Sequence, residues 1–127
     1  MDKDFDTWNT SKKEINDRLG EKLFHEREIW WCVLGVNIGH EQDGRGDNFE
    51  RPVVIVKKLS SDTCVCVPLS TKKRLEKFQS KVSGTSIVGY ALLDQIRVID
   101  SRRLVRKISS ADFEEFKNLV LKLKQLL

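Results

Sequence analysis

Arg51-Pro52-Val53-Val54-Ile55-Val56, with Gly39-His40-Glu41-Gln42-Asp43-Gly44 a short way upstream, is the stretch on which the fold turns. The β-branched run after the proline reads as a strand. Proline disfavours the helical region for Arg51 and suits the first residue of a strand. Arg51 is therefore expected at a sheet margin with its fork turned to an anion, as a bidentate phosphate contact requires. The glycines bounding residues 39–44 permit tight turning or positive φ, so this segment reads as a loop carrying an imidazole and a carboxylate onto the strand.

Working outward, Ile29 to Leu34 is a strand with both faces apolar, and Thr63 to Val67 follows the turn Ser60-Ser61-Asp62 as another. Residues 72–84 are basic and polar and read as a loop or irregular arm, after which Thr85 to Leu93 and Gln95 to Ile99 resume strand texture. Short strands in close succession, joined by turns, predict an antiparallel sheet that curls into a small barrel. Asp100 is placed to cap a helical turn over residues 102–107, and a closing helix is predicted from Ala111. Ser109 with Asp112 fits its capping box, and Phe113, Phe116, Val120, Leu123 and Leu127 its apolar stripe. An earlier helix is predicted over residues 4–19, with Phe5, Trp8, Ile15 and Leu19 near one face and Gly20 as its stop. The chain divides into a helical extension over residues 1–25 and one barrel domain over 26–127.

Composition narrows the classes. With 127 residues, 39% hydrophobic and 33% charged, the chain is one ordinary domain with a real core. No stretch approaches the ~20 apolar residues needed to span a bilayer. The opening MDKDFDTW lacks the layout of a signal peptide. Three cysteines, an odd number, argue against a disulfide framework and for a reducing cytoplasm. Cys64 and Cys66 alternate with Val65 and Val67 as buried strand residues do, and the spacing of a zinc site is missing, so no metal or other cofactor is expected. The net charge of +4 permits nucleic-acid binding without demanding it.

Four blocks in order give the chain a resemblance to the MazF/PemK family of toxin–antitoxin ribonucleases. The first is Glu28-Ile29-Trp30-Trp31-Cys32-Val33-Leu34; the second is Gly39-His40-Glu41-Gln42-Asp43-Gly44 followed by Arg51-Pro52-Val53-Val54. The third is Val67-Pro68-Leu69-Ser70-Thr71, and the fourth Asp94-Gln95-Ile96-Arg97-Val98-Ile99-Asp100 with Arg103-Leu104. The fold this resemblance implies is mainly β with helices: a small SH3-like (MazF/CcdB-type) antiparallel barrel with a C-terminal helix, here with an extra N-terminal one. Three departures stand out. Residues 1–25 precede the family's usual start, the loop between Glu41 and Arg51 is enlarged within residues 45–50, and Ser70 stands where threonine is usual.

The resemblance implies a cytoplasmic, metal-independent endoribonuclease. It would cut single-stranded RNA by 2′-hydroxyl attack, act as a homodimer without a membrane, and be held in check by a cognate antitoxin. Arg51 would stabilise charge on phosphorus, Ser70 would donate to a non-bridging oxygen with Thr71 beside it, and Glu41 would act as base or orienter. His40, an imidazole, would share proton transfer. Leu92 stands where some relatives carry an arginine, which makes Asp94 a structural residue. Lys57, Lys72, Lys73, Arg74, Lys77 and Arg97 are candidates for the RNA backbone track. The rival readings are a non-catalytic binding protein on the same barrel, like a gyrase poison, and an attenuated nuclease.

Overall fold

Alternation along the strands decides which side of the sheet each residue serves. In the computed structural model, residues 23–35 and 50–127 are described. The helix predicted over 4–19 and the loop carrying His40 and Glu41 lie outside the described residues. The strands are β1 (Glu28–Val33), β2 (Glu50–Lys58), β3 (Thr63–Ser70), β4 (Gln79–Ser83), β5 (Val88–Leu92), β6 (Arg97–Asp100) and β7 (Leu104–Ser110), and the helix α1 is Phe113–Leu126. Trp30 and Cys32 of β1, Val53 and Ile55 of β2, and Cys64 and Cys66 of β3 join one core. Their neighbours Ile29, Val54, Val67 and Leu69 join a second, closed over by Leu119 and Leu123 of α1.

The strands run in the order β4-β5-β3-β2-β1-β7, and β6 lies beside β3. Strand β3 is the hub. Its first half, Thr63 to Cys66, pairs with β6, while Leu69 and Ser70 at its end pair with β5. The sheet is open at β4 and β7, yet it curls until these edges meet at one end. There the Asp112 amide donates to the Ser83 carbonyl at 2.8 Å. Gly84 sits so close to β7 that a Cβ on it would fall 1.9 Å from Ser109 Oγ. The rolled antiparallel sheet and C-terminal helix agree with the barrel expected from sequence. Among the described residues, no helix is long and apolar enough to cross a membrane.

Local expectations needed correction. Residues 104–110 form the edge strand β7 against β1, not the tail of a helical turn, and Asp100 caps only the 3₁₀ turn Ser101–Arg103. Residues 79–83 form β4, inside what read as an irregular arm. The cap of α1 is Asp112, whose carboxylate accepts from the Glu115 amide at 3.0 Å, in place of Ser109, which is still in β7. This start turns Leu119 and Leu123 inward with Phe116, Val120 and Leu126 packed beside them, and leaves Phe113 and Leu127 exposed. Glu114 and Glu115 in the first turn and Lys124 in the last suit the helix dipole.

Glu28 fastens β1 to its surroundings. Its carboxylate accepts from Trp30 Nε1 at 3.0 Å and from the His25 amide at 2.7 Å, and pairs with Lys107 Nζ of β7 at 3.0 Å. Burial pushes this carboxyl up, but the hydrogen bonds from Trp30, His25 and Lys107 outweigh it and hold the group below the ordinary 4.5. A carboxylate with a depressed folded pKa stabilises above its unfolded value, and that stability is lost as pH falls through the lower folded value. The melting temperature followed by circular dichroism is thus expected to fall as pH drops below 4.5. In Glu28→Gln, which keeps an acceptor but no titrating charge, that acid dependence is expected to flatten.

The cysteines behave as apolar filling. Cys32, Cys64 and Cys66 are free and buried. Burial pushes the Cys32 thiol up to about 12 and the Cys64 thiol up to about 11, and Cys66 also rises well above its ordinary value. None supplies a thiolate near neutral pH.

Candidate functional site

Arg51 and Ser70, distant in sequence, stand on adjacent strands. Strands β2 and β3 pair antiparallel with Val53 opposite Pro68, so Arg51 and Ser70 both lie just beyond the same end of that ladder. The side-chain contacts agree: Arg51 Nη1 donates to the Leu69 carbonyl, the residue before Ser70, at 3.0 Å. Strand β2 begins at Glu50, so Pro52 lies within it, opposite Trp31 of β1. Arg51 is only 4% exposed, more enclosed than a strand margin implies. An arginine held in this low-dielectric position acts on nearby charge far more strongly than one in water.

Both residues border one cleft of about 500 Å³. Its walls are Trp31, Pro52, Leu69, Ile87 and Val88, with Gly89 at the β5 end and Glu50 and Thr71 at the rim. Gly89 is confined there, since a Cβ would approach the Ser70 carbonyl to 3.3 Å. Apolar walls with a few convergent polar groups are the usual make-up of a ligand site. Ser70 Oγ accepts from the Lys72 amide at 3.1 Å. A hydroxyl that accepts in this way keeps its own hydrogen to donate. Thr71 is exposed beside it on the same rim.

The basic residues divide. Lys72, Lys73, Arg74 and Lys77 lie exposed on the segment leaving Ser70. Sequence reasoning missed what shapes that segment: Gln79, 4% exposed, accepts from the Arg74 amide at 2.6 Å and donates to the Lys72 carbonyl at 3.0 Å. Lys122 of α1 donates to the Gln79 carbonyl at 2.9 Å, tying the segment's base to the helix. Lys57 is six residues from Arg51 along β2, ~20 Å at strand rise, and does not border the cleft. Arg97 is also away from it, opposite Cys66 on β6. There it adds to burial in lowering the pKa of Arg103, whose Nη1 donates to the Val33 carbonyl at 3.2 Å.

Glu41 and His40 fall outside the described residues, so their distance from Arg51 is not part of this geometry. Among the described residues, no three His, Cys, Asp or Glu side chains gather where they could hold a metal ion. From sequence, Trp30 and Trp31 point to opposite faces of one strand, which puts at least one in the core and assigns base stacking to neither. The structure separates them. Trp30 is 6% exposed with its Nε1 bonded to Glu28, while Trp31 is half-buried and borders the cleft.

The fold is shared with known toxins. The MazF of Deinococcus radiodurans superposes with a TM-score of 0.68 at 18% identity, over 84% of this chain and 97% of that one. An endoribonuclease from a mycobacterial species, solved in complex with its cognate antitoxin, gives 0.64 at 16% identity, over 81% and 93%. The Mycobacterium tuberculosis toxin MazF-mt6 gives 0.59 at 17% identity, over 78% and 94%. No curated protein is close enough in sequence to count as a match. Residues 25–127, most of the chain, match the family described as PemK-like, MazF-like toxins of type II toxin–antitoxin systems, and the chain belongs to that family.

Proposed function

We propose that this toxin is a cytoplasmic endoribonuclease that cuts single-stranded RNA at selected sequences, using the substrate's 2′-hydroxyl and no metal ion. The observation that carries this reading is the meeting of Arg51 and Ser70 at one cleft from which a basic segment departs. In the reaction the 2′-oxygen bonds to phosphorus and the bond from phosphorus to the 5′-oxygen breaks. The products are a 2′,3′-cyclic phosphate and a 5′-hydroxyl. The nucleophile belongs to the substrate, so no metal-bound water has to be generated. Glu41 takes the 2′ proton, and His40, sharing the proton transfer, delivers one to the departing 5′-oxygen. Arg51 stabilises the charge gathering on the phosphoryl oxygens and donates toward the departing 5′-oxygen. Ser70 supplies a second preorganised donor with Thr71 beside it.

Lys72, Lys73, Arg74 and Lys77 carry the RNA backbone, and a cognate antitoxin and a second copy of the chain are the expected protein partners. The solved complexes of related toxins with antitoxins support the first of these. Because Gln79 shapes the basic segment, Gln79→Ala is expected to lower RNA affinity more than loss of any one lysine. Its two lost hydrogen bonds should also cost about 1–3 kcal/mol in thermal unfolding. Filter binding and melting curves on the same preparations check both.

The test of the whole reading is cleavage of mixed single-stranded RNA by antitoxin-free protein in excess EDTA. Fragments ending in 5′-hydroxyls, absent with Arg51→Ala, are expected. Intact RNA together with tight binding to gyrase or duplex DNA would make the chain a binding protein instead. An absolute need for magnesium would overturn the mechanism.

A further inference from the structure

Trp31 borders the same cleft as Arg51 and Ser70, and the chemistry assigned to those residues gives it no role. Its place in the sheet is defined on both sides. Across β2 it faces Pro52, the neighbour of Arg51, and across β7 it faces Arg106. The Arg106 guanidinium lies over the indole, 5.3 Å from the ring centroid. Strands stack ~4.8 Å apart, so Trp31 sits about one strand from Arg51 and two from Ser70. The ring and those two groups border one cleft, which is the placement that a base next to a bound phosphate requires.

The indole's surroundings point to the same occupant. Trp31 is half-buried where Trp30 is sealed, so part of its ring meets the cleft and not the core. The walls beside it, Pro52, Leu69 and Val88, are apolar, and Val88 is 59% exposed. An apolar cleft with an aromatic side chain in its wall suits a planar, unstacked ring from solvent. Cations in the segment leaving Ser70 suit a ligand that also carries phosphates. A nucleotide uses the cations and the apolar walls together.

We propose that Trp31, held by Arg106, is the stacking platform for a nucleobase flanking the scissile phosphate. The platform rests on the nuclease reading above and adds to it a base-binding subsite. Arg106 is a positioning residue: it covers part of the indole and fixes its tilt, and it touches neither phosphate nor base. Because every base has a π-face, the platform contributes affinity and register, and base identity is read elsewhere.

The test combines a substrate scan with variants at Trp31. The cleavage site is first mapped in a mixed RNA pool, and oligonucleotides are then made with one abasic residue at each position around it. Against the wild-type chain, one abasic residue flanking the scissile bond is expected to lower kcat/KM roughly tenfold to a hundredfold, the range of stacking one base on an aromatic ring. In Trp31→Leu that penalty is expected to vanish, because the platform is already gone. In Trp31→Phe, which keeps a smaller ring, it is expected to persist in part, and Arg106→Gln should reduce it without abolishing it. A 2-aminopurine at the same position, in an RNA blocked by a 2′-deoxy nucleotide at the cut, is expected to be quenched by the wild type and not by Trp31→Leu.

Melting curves on each variant separate lost packing from lost stacking. An abasic penalty of equal size in wild type and Trp31→Leu, with RNA still cleaved, overturns the platform and leaves the nuclease standing. A wild-type chain that neither cleaves nor binds RNA overturns both.

Discussion

Arg51→Ala is expected to lower kcat for RNA cleavage by about 10²–10³-fold or more, the range for removing one preorganised donor from a developing oxyanion. Burial is the reason for expecting the upper part of that range. At 4% exposure the guanidinium has little water to screen it, and the bond from Nη1 to the Leu69 carbonyl orients it before substrate arrives. An interaction prepared in this way is strengthened as charge builds on the phosphoryl oxygens, so the loss should appear in kcat more than in KM. Arg51→Lys retains the charge, but its point-like ammonium cannot reproduce a planar fork, and it is expected to recover only a small part of the activity. The Leu69 carbonyl also loses its donor in Arg51→Ala, at a cost of about 1–3 kcal/mol in stability. Assays therefore belong well below the variant's melting point, with circular dichroism confirming the fold. A loss of less than tenfold in folded protein would remove Arg51 from the centre of the chemistry.

The legible parts of this fold were those written in local pattern. Val53-Val54-Ile55-Val56 and Ile29 to Leu34 announce strands because β-branched and aromatic residues run together, and they occupy β2 and β1. The elements missed lack such a signal. Strand β7 is an edge whose sequence, Leu-Val-Arg-Lys-Ile-Ser-Ser, mixes charge with apolar residues, and it becomes a strand by pairing with β1 some 80 positions away. That partner is invisible to any local window. Strand β4 is likewise an edge of small and polar residues, held by β5 and by Glu115 of α1, which accepts from the Ser83 amide and hydroxyl.

The site shows the same division. Arg51 and Ser70 were marked from sequence because their blocks resemble a known pattern, and they border one cleft. Lys57 and Arg97 were marked on charge alone, and strand geometry carries each away from it. Gln79 was not marked at all, and Trp31 was assigned no role. Their importance comes from contacts made only after folding, a pair of hydrogen bonds across a loop for one and a cavity wall for the other. Composition cannot report either.

Ser70→Ala and Ser70→Thr should part in opposite directions, and the contrast tests more than either change alone. Alanine removes the hydroxyl hydrogen that would meet a non-bridging phosphate oxygen, at an expected cost of about 10²–10³ in kcat. It also removes the oxygen that accepts from the Lys72 amide at 3.1 Å. The basic segment begins at that amide, so KM should rise as well, and the two losses can be read separately in steady-state kinetics. Threonine keeps both hydrogen bonds, and its β-branch restricts χ1, which favours a single orientation of the hydroxyl in a strand. The added methyl meets a nearly closed setting, since Ser70 is 5% exposed, paired with Tyr90 and backed by Gly89. These effects oppose each other, and Ser70→Thr is expected within about threefold of the wild-type kcat because strands accommodate β-branched residues readily. Thr71 supplies the internal control. It stands on the rim, exposed, with a hydroxyl one residue away, and Thr71→Ala is expected to cost much less than Ser70→Ala. If instead Ser70→Ala cleaves normally while Thr71→Ala does not, the donor is the exposed hydroxyl, and of the two buried groups at the cleft the arginine alone would serve the chemistry.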